Sequence, residues 1–131
     1  MHGSCLCGEV QFRFERFDGG IAHCHCSMCR KFTGAAFATF GAVNCDEIIW
    51  EKAQSAITIF DSSEQAQRGF CKHCGSSLFY RLKLPNAPYE IALGLLDEEP
   101  SAAVTANIFC QNRPQWPRSL ETLPAYEQGR V

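Results

Sequence analysis

No stretch of this 131-residue sequence approaches the ~18 consecutive apolar residues that a membrane span requires, so no membrane partner is expected. The opening residues, Met1-His2-Gly3-Ser4, lack the basic and apolar segments of a secretory leader, and Cys5 follows at once. A cytoplasmic, reducing location is therefore expected, where clustered cysteines are more often metal ligands than disulfides. An excess of one charge is missing too. A formal net charge of -2 and a pI near 6.1 provide no electrostatic drive toward nucleic acid. There is no fixed-period repeat, no low-complexity tract and no linker long enough to divide the chain, so residues 1–131 read as one domain. A 46% hydrophobic content with ten phenylalanines is enough to build its core.

Helical patterning is also scarce, and strand signals take its place. Glu9 to Phe14 alternates polar and apolar, which puts Val10, Phe12 and Phe14 on one face. Residues 36–40, 47–50, 56–60, 77–82, 89–95 and 104–109 read as further strands, and 68–70 and 75–77 as strands flanking a turn. Asp18-Gly19-Gly20 is a hairpin signal, and 61–63 and 85–88 are loops. Residues 27–32 and 100–104 could each form one helical turn. The 114–124 stretch is expected to wrap the surface with Trp116 anchored inward. The fold class is mainly β, with few short helices.

What the chain has in abundance is cysteine, and seven of its nine fall in three tight clusters: Cys5 and Cys7; Cys24, Cys26 and Cys29; Cys71 and Cys74. Residues two apart close no relaxed disulfide. Two distant pairs suit one tetrahedral zinc. In Cys71-Lys72-His73-Cys74-Gly75 both sulfurs point to one side of a turn, and Gly75 is free to take positive φ. In an extended Cys5-Leu6-Cys7 both sulfurs share one strand face. Cys5, Cys7, Cys71 and Cys74 are thus expected to hold a structural zinc. The other readings are four ordinary buried thiols, or a redox pair at Cys71 and Cys74, which would need a βαβ setting.

The middle cluster supplies three sulfurs from six residues. An extended start turns Cys24 and Cys26 one way and His23 and His25 the other, and a turn at Ser27-Met28 brings Cys29 round. Three ligands on zinc leave a position for substrate, as catalytic sites do. Three thiolates on Zn²⁺ form a net anionic site, a weak Lewis acid but a good holder of another sulfur as thiolate. Arg30 and Lys31 follow directly and could contact substrate carboxylates. His23, His25, Cys45 or Cys110 could instead complete a second structural zinc, or the trio could stay metal-free and redox-sensitive. No general base stands out; His25 and Glu64 are candidates.

The chain resembles the glutathione-dependent formaldehyde-activating enzyme family, also called centromere-protein-V-like. The resemblance rests on residues 3–10, 24–31 and 70–75 and, more weakly, on Trp116, Leu123-Pro124 and Tyr126-Glu127. It implies a β-tent fold of packed antiparallel sheets around a structural zinc on Cys5, Cys7, Cys71 and Cys74. It also implies a second, catalytic zinc on Cys24, Cys26 and Cys29, making two zinc ions per chain. The implied activity is that of a carbon–sulfur lyase, joining glutathione and formaldehyde as S-hydroxymethylglutathione or the reverse. The chain departs from the family pattern at Asn107, where many relatives carry His. The alternative expectation is a non-enzymatic, zinc-stabilised protein-binding module. A nucleic-acid-binding zinc ribbon is disfavoured by the acidic balance.

Overall fold

A computed structural model describes residues 1–117 and 119–130. Ten strands are present among them: β1 (His2–Ser4), β2 (Gln11–Arg13), β3 (Ile21–Cys24), β4 (Ala38–Val43), β5 (Ile49–Lys52), β6 (Ile57–Asp61), β7 (Ala66–Cys71), β8 (Ser77–Leu82), β9 (Tyr89–Ala92) and β10 (Val104–Ile108), with one α-helix, α1 (Ser27–Thr33), between β3 and β4. The chain is mainly β, as the period-two patterning predicts. The strands form a three-stranded sheet, β1-β2-β5, and a seven-stranded sheet, β10-β3-β4-β9-β8-β7-β6. Every pairing is antiparallel except β10 with β3 at one edge.

The two sheets bury a common core. Val10, Phe12 and Phe14 bring it their shared face, and Val43, Ile48, Leu78, Phe79 and Ile91 meet them. Trp50 sets its edge on Phe12 at 5.5 Å between ring centroids. Gly69 lies opposite Phe79 in the ladder, and a Cβ there would collide with the Phe79 ring. β7 thus runs flush over that aromatic while its neighbour Arg68 turns to the other face. On that other face a smaller cluster forms from Cys24, Cys29, Ala38 and Phe40, with Phe32, Tyr80 and Ala92 packed against it.

Several local expectations change. Asp18-Gly19-Gly20 does not turn a hairpin; it carries the chain from β2 in the small sheet to β3 in the large one. Its Asp18 amide donates to the Ala42 carbonyl at 2.8 Å and its carboxylate accepts from the Asn44 amide at 2.7 Å, so it docks on β4 instead. Residues 100–103 are irregular rather than helical, and β9 ends at Ala92 in a short 3-10 turn over Leu93–Leu95. Trp116 is not anchored inward: its side chain is 69% exposed, as are most residues of the tail. Arg118, within the expected surface stretch, lies outside the described residues. No described helix is long and apolar enough to cross a membrane.

Candidate active site and metal centres

The first cysteine group is built from two turns. Cys5 to Gly8 is a tight turn rather than an extended strand. The Gly8 amide donates to the Cys5 carbonyl at 2.9 Å, and Gly8 takes φ 75°. Cys71 to Gly75 repeats the device, with the Gly75 amide on the Cys71 carbonyl at 2.8 Å and φ 77°. At both positions the left-handed backbone is one that glycine adopts without a Cβ penalty. Ser76 locks the turns together: its hydroxyl accepts from the Leu6 amide at 2.9 Å and lies 3.2 Å from Cys74 Sγ.

The sulfurs of Cys5, Cys7, Cys71 and Cys74 all lie within 4.8 Å of one another. Cys5 to Cys7 is 3.5 Å and Cys7 to Cys71 is 3.8 Å. Four sulfurs about 2.3 Å from a zinc ion sit about 3.8 Å apart in a tetrahedron, so the set fits that ion. The electrostatics divide the four: Cys74 and Cys5 are lowered, whereas at Cys7 the Glu9 backbone is outweighed by burial and the Cys5, Cys74 and Cys71 sulfurs, which push the thiol up to about 12. The Ser76 hydroxyl and amide, with the Cys7 backbone, hold the Cys74 thiol down at about 5. The Val10 amide donates to Cys5 Sγ at 3.2 Å.

The second group sits where β3 runs into α1. Cys24 ends the strand; Cys26, at φ -62° and ψ 150°, caps the helix, its sulfur accepting from the Cys29 amide at 3.3 Å. The first helical turn then brings Cys29 round, and the three sulfurs lie within 4.8 Å of one another. Gly34, in the left-handed conformation, ends the helix with its amide on the Arg30 carbonyl at 2.8 Å. The Ser77 hydroxyl ties the last turn to β8 by donating to the Phe32 carbonyl at 2.6 Å. Among the described residues, no further His, Cys, Asp or Glu joins the trio. The trio can hold a metal ion with three sulfurs.

A cavity of about 370 Å³ opens against the trio. Its wall is largely apolar, from Ala22, Met28, Phe40, Leu82, Ile108 and Phe109, and three polar side chains interrupt it: Arg68, Tyr80 and Glu90. These three come from β7, β8 and β9 and stand directly opposite one another in the ladder, Arg68 against Tyr80 and Tyr80 against Glu90. Directly opposed residues share a sheet face, so the row runs straight across the cavity floor. Arg68 is only 5% exposed. Both of its terminal nitrogens lie 3.7 Å from Cys29 Sγ, and its guanidinium stacks 5.2 Å from the Phe32 ring centre and 5.5 Å from that of Tyr80.

Burial pushes the Cys29 thiol up to about 12, the neighbouring Cys26 and Cys24 sulfurs push the same way, and Arg68 opposes them. Burial, reinforced by the Glu90 charge, pushes the Tyr80 hydroxyl up to about 12. Burial also raises the Glu90 carboxyl above the usual carboxylate range.

The remaining expected site residues fall elsewhere. Arg30 and Lys31 do not line this cavity. A helix turns about 100° per residue, so with Cys29 facing inward they rotate away. Arg30 Nε donates to the His25 carbonyl at 3.2 Å, and Lys31 is exposed. His25 points to the opposite face, its Nε2 donating to Asn107 Oδ1 at 2.9 Å, so the Asn107 departure also lies off the cavity wall. Glu64 is exposed in the loop before β7. Cys45 is half-buried and Cys110 exposed, away from the trio. Sequence reasoning missed Arg68, Tyr80 and Glu90 as site residues, since only strand register brings them together.

A profile of the family described as "Glutathione-dependent formaldehyde-activating enzyme" matches residues 1–112. An uncharacterized lyase of Schizosaccharomyces pombe is 25% identical over 112 residues, covering 86% of this chain and 80% of that protein. A putative glutathione-dependent formaldehyde-activating enzyme of Halomonas elongata is 25% identical over 124 residues, covering 88% and 78%. One of the same name from Aspergillus flavus is 32% identical over 83 residues, 61% of this chain, and the match spans only 43% of that longer protein. A crystal structure of a Rhodobacter sphaeroides protein superposes with a TM-score of 0.66 at 21% identity, over 82% of this chain and 99% of that one, which shows a shared fold. The chain belongs to the glutathione-dependent formaldehyde-activating enzyme family.

Proposed function

We propose that the protein is a zinc-dependent carbon–sulfur lyase acting on a glutathione-like thiol and a small aldehyde, working as one zinc-binding domain in the cytoplasm. In this reading Cys5, Cys7, Cys71 and Cys74 hold a structural zinc, and Cys24, Cys26 and Cys29 hold a catalytic one. The observation that carries it is the three-sulfur group opening onto a largely apolar cavity. A zinc ion there would keep a substrate thiol ionised.

The chain's own residues account for the rest. The apolar wall of Met28, Phe40, Ile108 and Phe109 limits water around the reacting atoms. Arg68 sets one positive charge against the sulfurs, offsetting an excess of negative charge that would repel an incoming thiolate. The cavity is small and holds the partners together, replacing a bimolecular encounter with a local one. The thiolate sulfur attacks the aldehyde carbon, the C–S bond forms, the carbonyl electron pair moves to oxygen, and that oxygen takes up a proton. Release runs the same steps backwards.

The family membership and the relatives named for glutathione-dependent formaldehyde activation support this chemistry. The alternative, a protein-docking module, gives no role to a buried arginine and a carboxyl lining the cavity of the trio. The test is to add zinc-loaded protein to glutathione and isotopically labelled formaldehyde and follow exchange between free aldehyde and adduct by NMR. Exchange well above the protein-free rate is expected; a rate equal to it refutes the reading.

A further inference from the structure

Addition of a thiolate to an aldehyde leaves an oxygen that must gain a proton, and release of the aldehyde needs that proton removed. Much of the cavity wall is apolar, from Ala22, Phe40, Leu82, Ile108 and Phe109, and a protein group on that wall shortens the path of the proton. The wall offers six ionisable side chains: Cys24, Cys26, Cys29, Arg68, Tyr80 and Glu90. The three cysteines are committed to the metal in the reading above. The Arg68 guanidinium is engaged with Cys29 Sγ and with the Phe32 and Tyr80 rings. Tyr80 serves as wall, its ring lying against both the Arg68 guanidinium and Phe40. One group is left.

We propose that Glu90 is the acid–base residue of the site, giving its proton to the carbinol oxygen as the C–S bond forms and taking it back as the bond breaks. This rests on the aldehyde–thiol reading of the same cavity. The geometry is that of the cross-strand row. Glu90 on β9 stands next to Tyr80 on β8, and Tyr80 next to Arg68 on β7, which reaches Cys29. Neighbouring strands lie about 4.8 Å apart, so Arg68 and Glu90 stand about 10 Å apart at the backbone. The sulfur end and the proton end of the row are thus separated by one tyrosine ring.

Among the described residues, no salt bridge or hydrogen bond holds the Glu90 side chain, although Lys52, Lys83 and Arg13 on the outer surface all find carboxylates. The groups that face the Glu90 side of the cavity are Tyr80 from β8, Arg68 from β7, Cys24 from β3, and Cys26 and Cys29 from α1 and its cap. β4, which pairs with β9 on its other side, places Ala42 opposite Glu90 and brings no charge. A half-buried carboxyl with no partner is a cost to folding, and an active site is where such a cost is met by function. In bond terms, S–C forms, the C=O π pair becomes an oxygen lone pair, and the O–H bond of Glu90 passes its proton to that oxygen. Glu90 is left as carboxylate, to be reset by the reverse step or by water at the cavity mouth.

The test is Glu90→Gln in the zinc-loaded protein, with Glu90→Ala as a second variant. In the glutathione–formaldehyde exchange assay, the Gln variant is expected to lose roughly 10²-fold or more in rate. Its glutathione binding, followed by ligand line-broadening, should be kept, and its thermal melt should be no lower than that of wild type. Added formate should recover part of the rate in the Ala variant, because a free carboxylate fits where the side chain was removed. A Gln variant within twofold of wild type, or an Ala variant that formate does not help, overturns the proposal. So does a loss of folded protein in both variants, which would assign Glu90 to the scaffold. A wild-type protein that fails to accelerate exchange brings down the parent reading and this one together, whereas an active wild type with an unaffected Gln variant brings down this one alone.

Discussion

The two cysteine groups use the same ligand atom in opposite settings. Cys5, Cys7, Cys71 and Cys74 sit in paired turns near the surface, with Cys7 exposed and the neighbouring Leu6 89% exposed. Backbone amides and the Ser76 hydroxyl surround their sulfurs. Cys24, Cys26 and Cys29 face a largely apolar cavity, and the donor that reaches Cys29 is a buried guanidinium. Four donors satisfy a tetrahedral ion and three do not. On the proposed reading, the number of sulfurs and the polarity around them, rather than sulfur itself, separate a structural clasp from a reactive site.

The sharpest way to break this contrast is to remove one sulfur from each group. Cys71→Ser is expected to prevent folding, because on the proposed reading a structural zinc supplies on the order of 10 kcal/mol, comparable to the whole stability of an ordinary domain. Circular dichroism and zinc analysis check this; a folded Cys71→Ser protein with a wild-type melt would erase the distinction. Cys26→Ser should keep the fold and one equivalent of zinc while exchange falls to the protein-free rate. Its near-wild-type melt should contrast with complete loss of activity, read by calorimetry and NMR on the same sample.

Arg68→Met sharpens the electrostatic half of the comparison. It removes a buried donor from Cys29 and two aromatic stacking contacts, and a loss of about 1–3 kcal/mol is expected. Urea denaturation measures it. An equally large loss from Arg13→Met, whose guanidinium meets Glu51 at 2.8 Å on the surface, would show that burial is not what matters.

The smallest effect concerns pH. Burial raises the folded-state carboxyl of Glu90, so its favourable contribution is complete below the unfolded pKa and is lost as pH rises through the folded one. Glu90→Gln should therefore melt slightly above wild type at neutral pH, and the gap should close on acidification below the ordinary carboxylate range. Melting curves across that range give the sign directly.

The two cysteine groups were legible because they depend on local spacing. Cys71-x-x-Cys74-Gly75 encodes its turn within five residues, and Cys24 to Cys29 encodes a strand end and one helical turn within six. The Val10, Phe12 and Phe14 face was legible for the same reason. Arg68, Tyr80 and Glu90 were not, since they lie on three strands and only the β7-β8-β9 register aligns them. One residue of slip would send each side chain to the other face. Arg30 and Lys31 stand off the wall of this cavity because residues adjacent in sequence point in different directions on a helix. Trp116 was misjudged because an aromatic in a proline-rich tail carries no periodicity to say which way it faces.

Ser76 and Ser77 are consecutive. The first ties the two turns that bring positions 5 and 71 together, and the second clamps the end of the helix that carries Cys29. One peptide unit therefore splices a closure between remote parts of the chain to the posture of a short helix that has little intrinsic stability of its own. Whatever orders the four-sulfur group should therefore stiffen the three-sulfur group as well, through that single peptide unit.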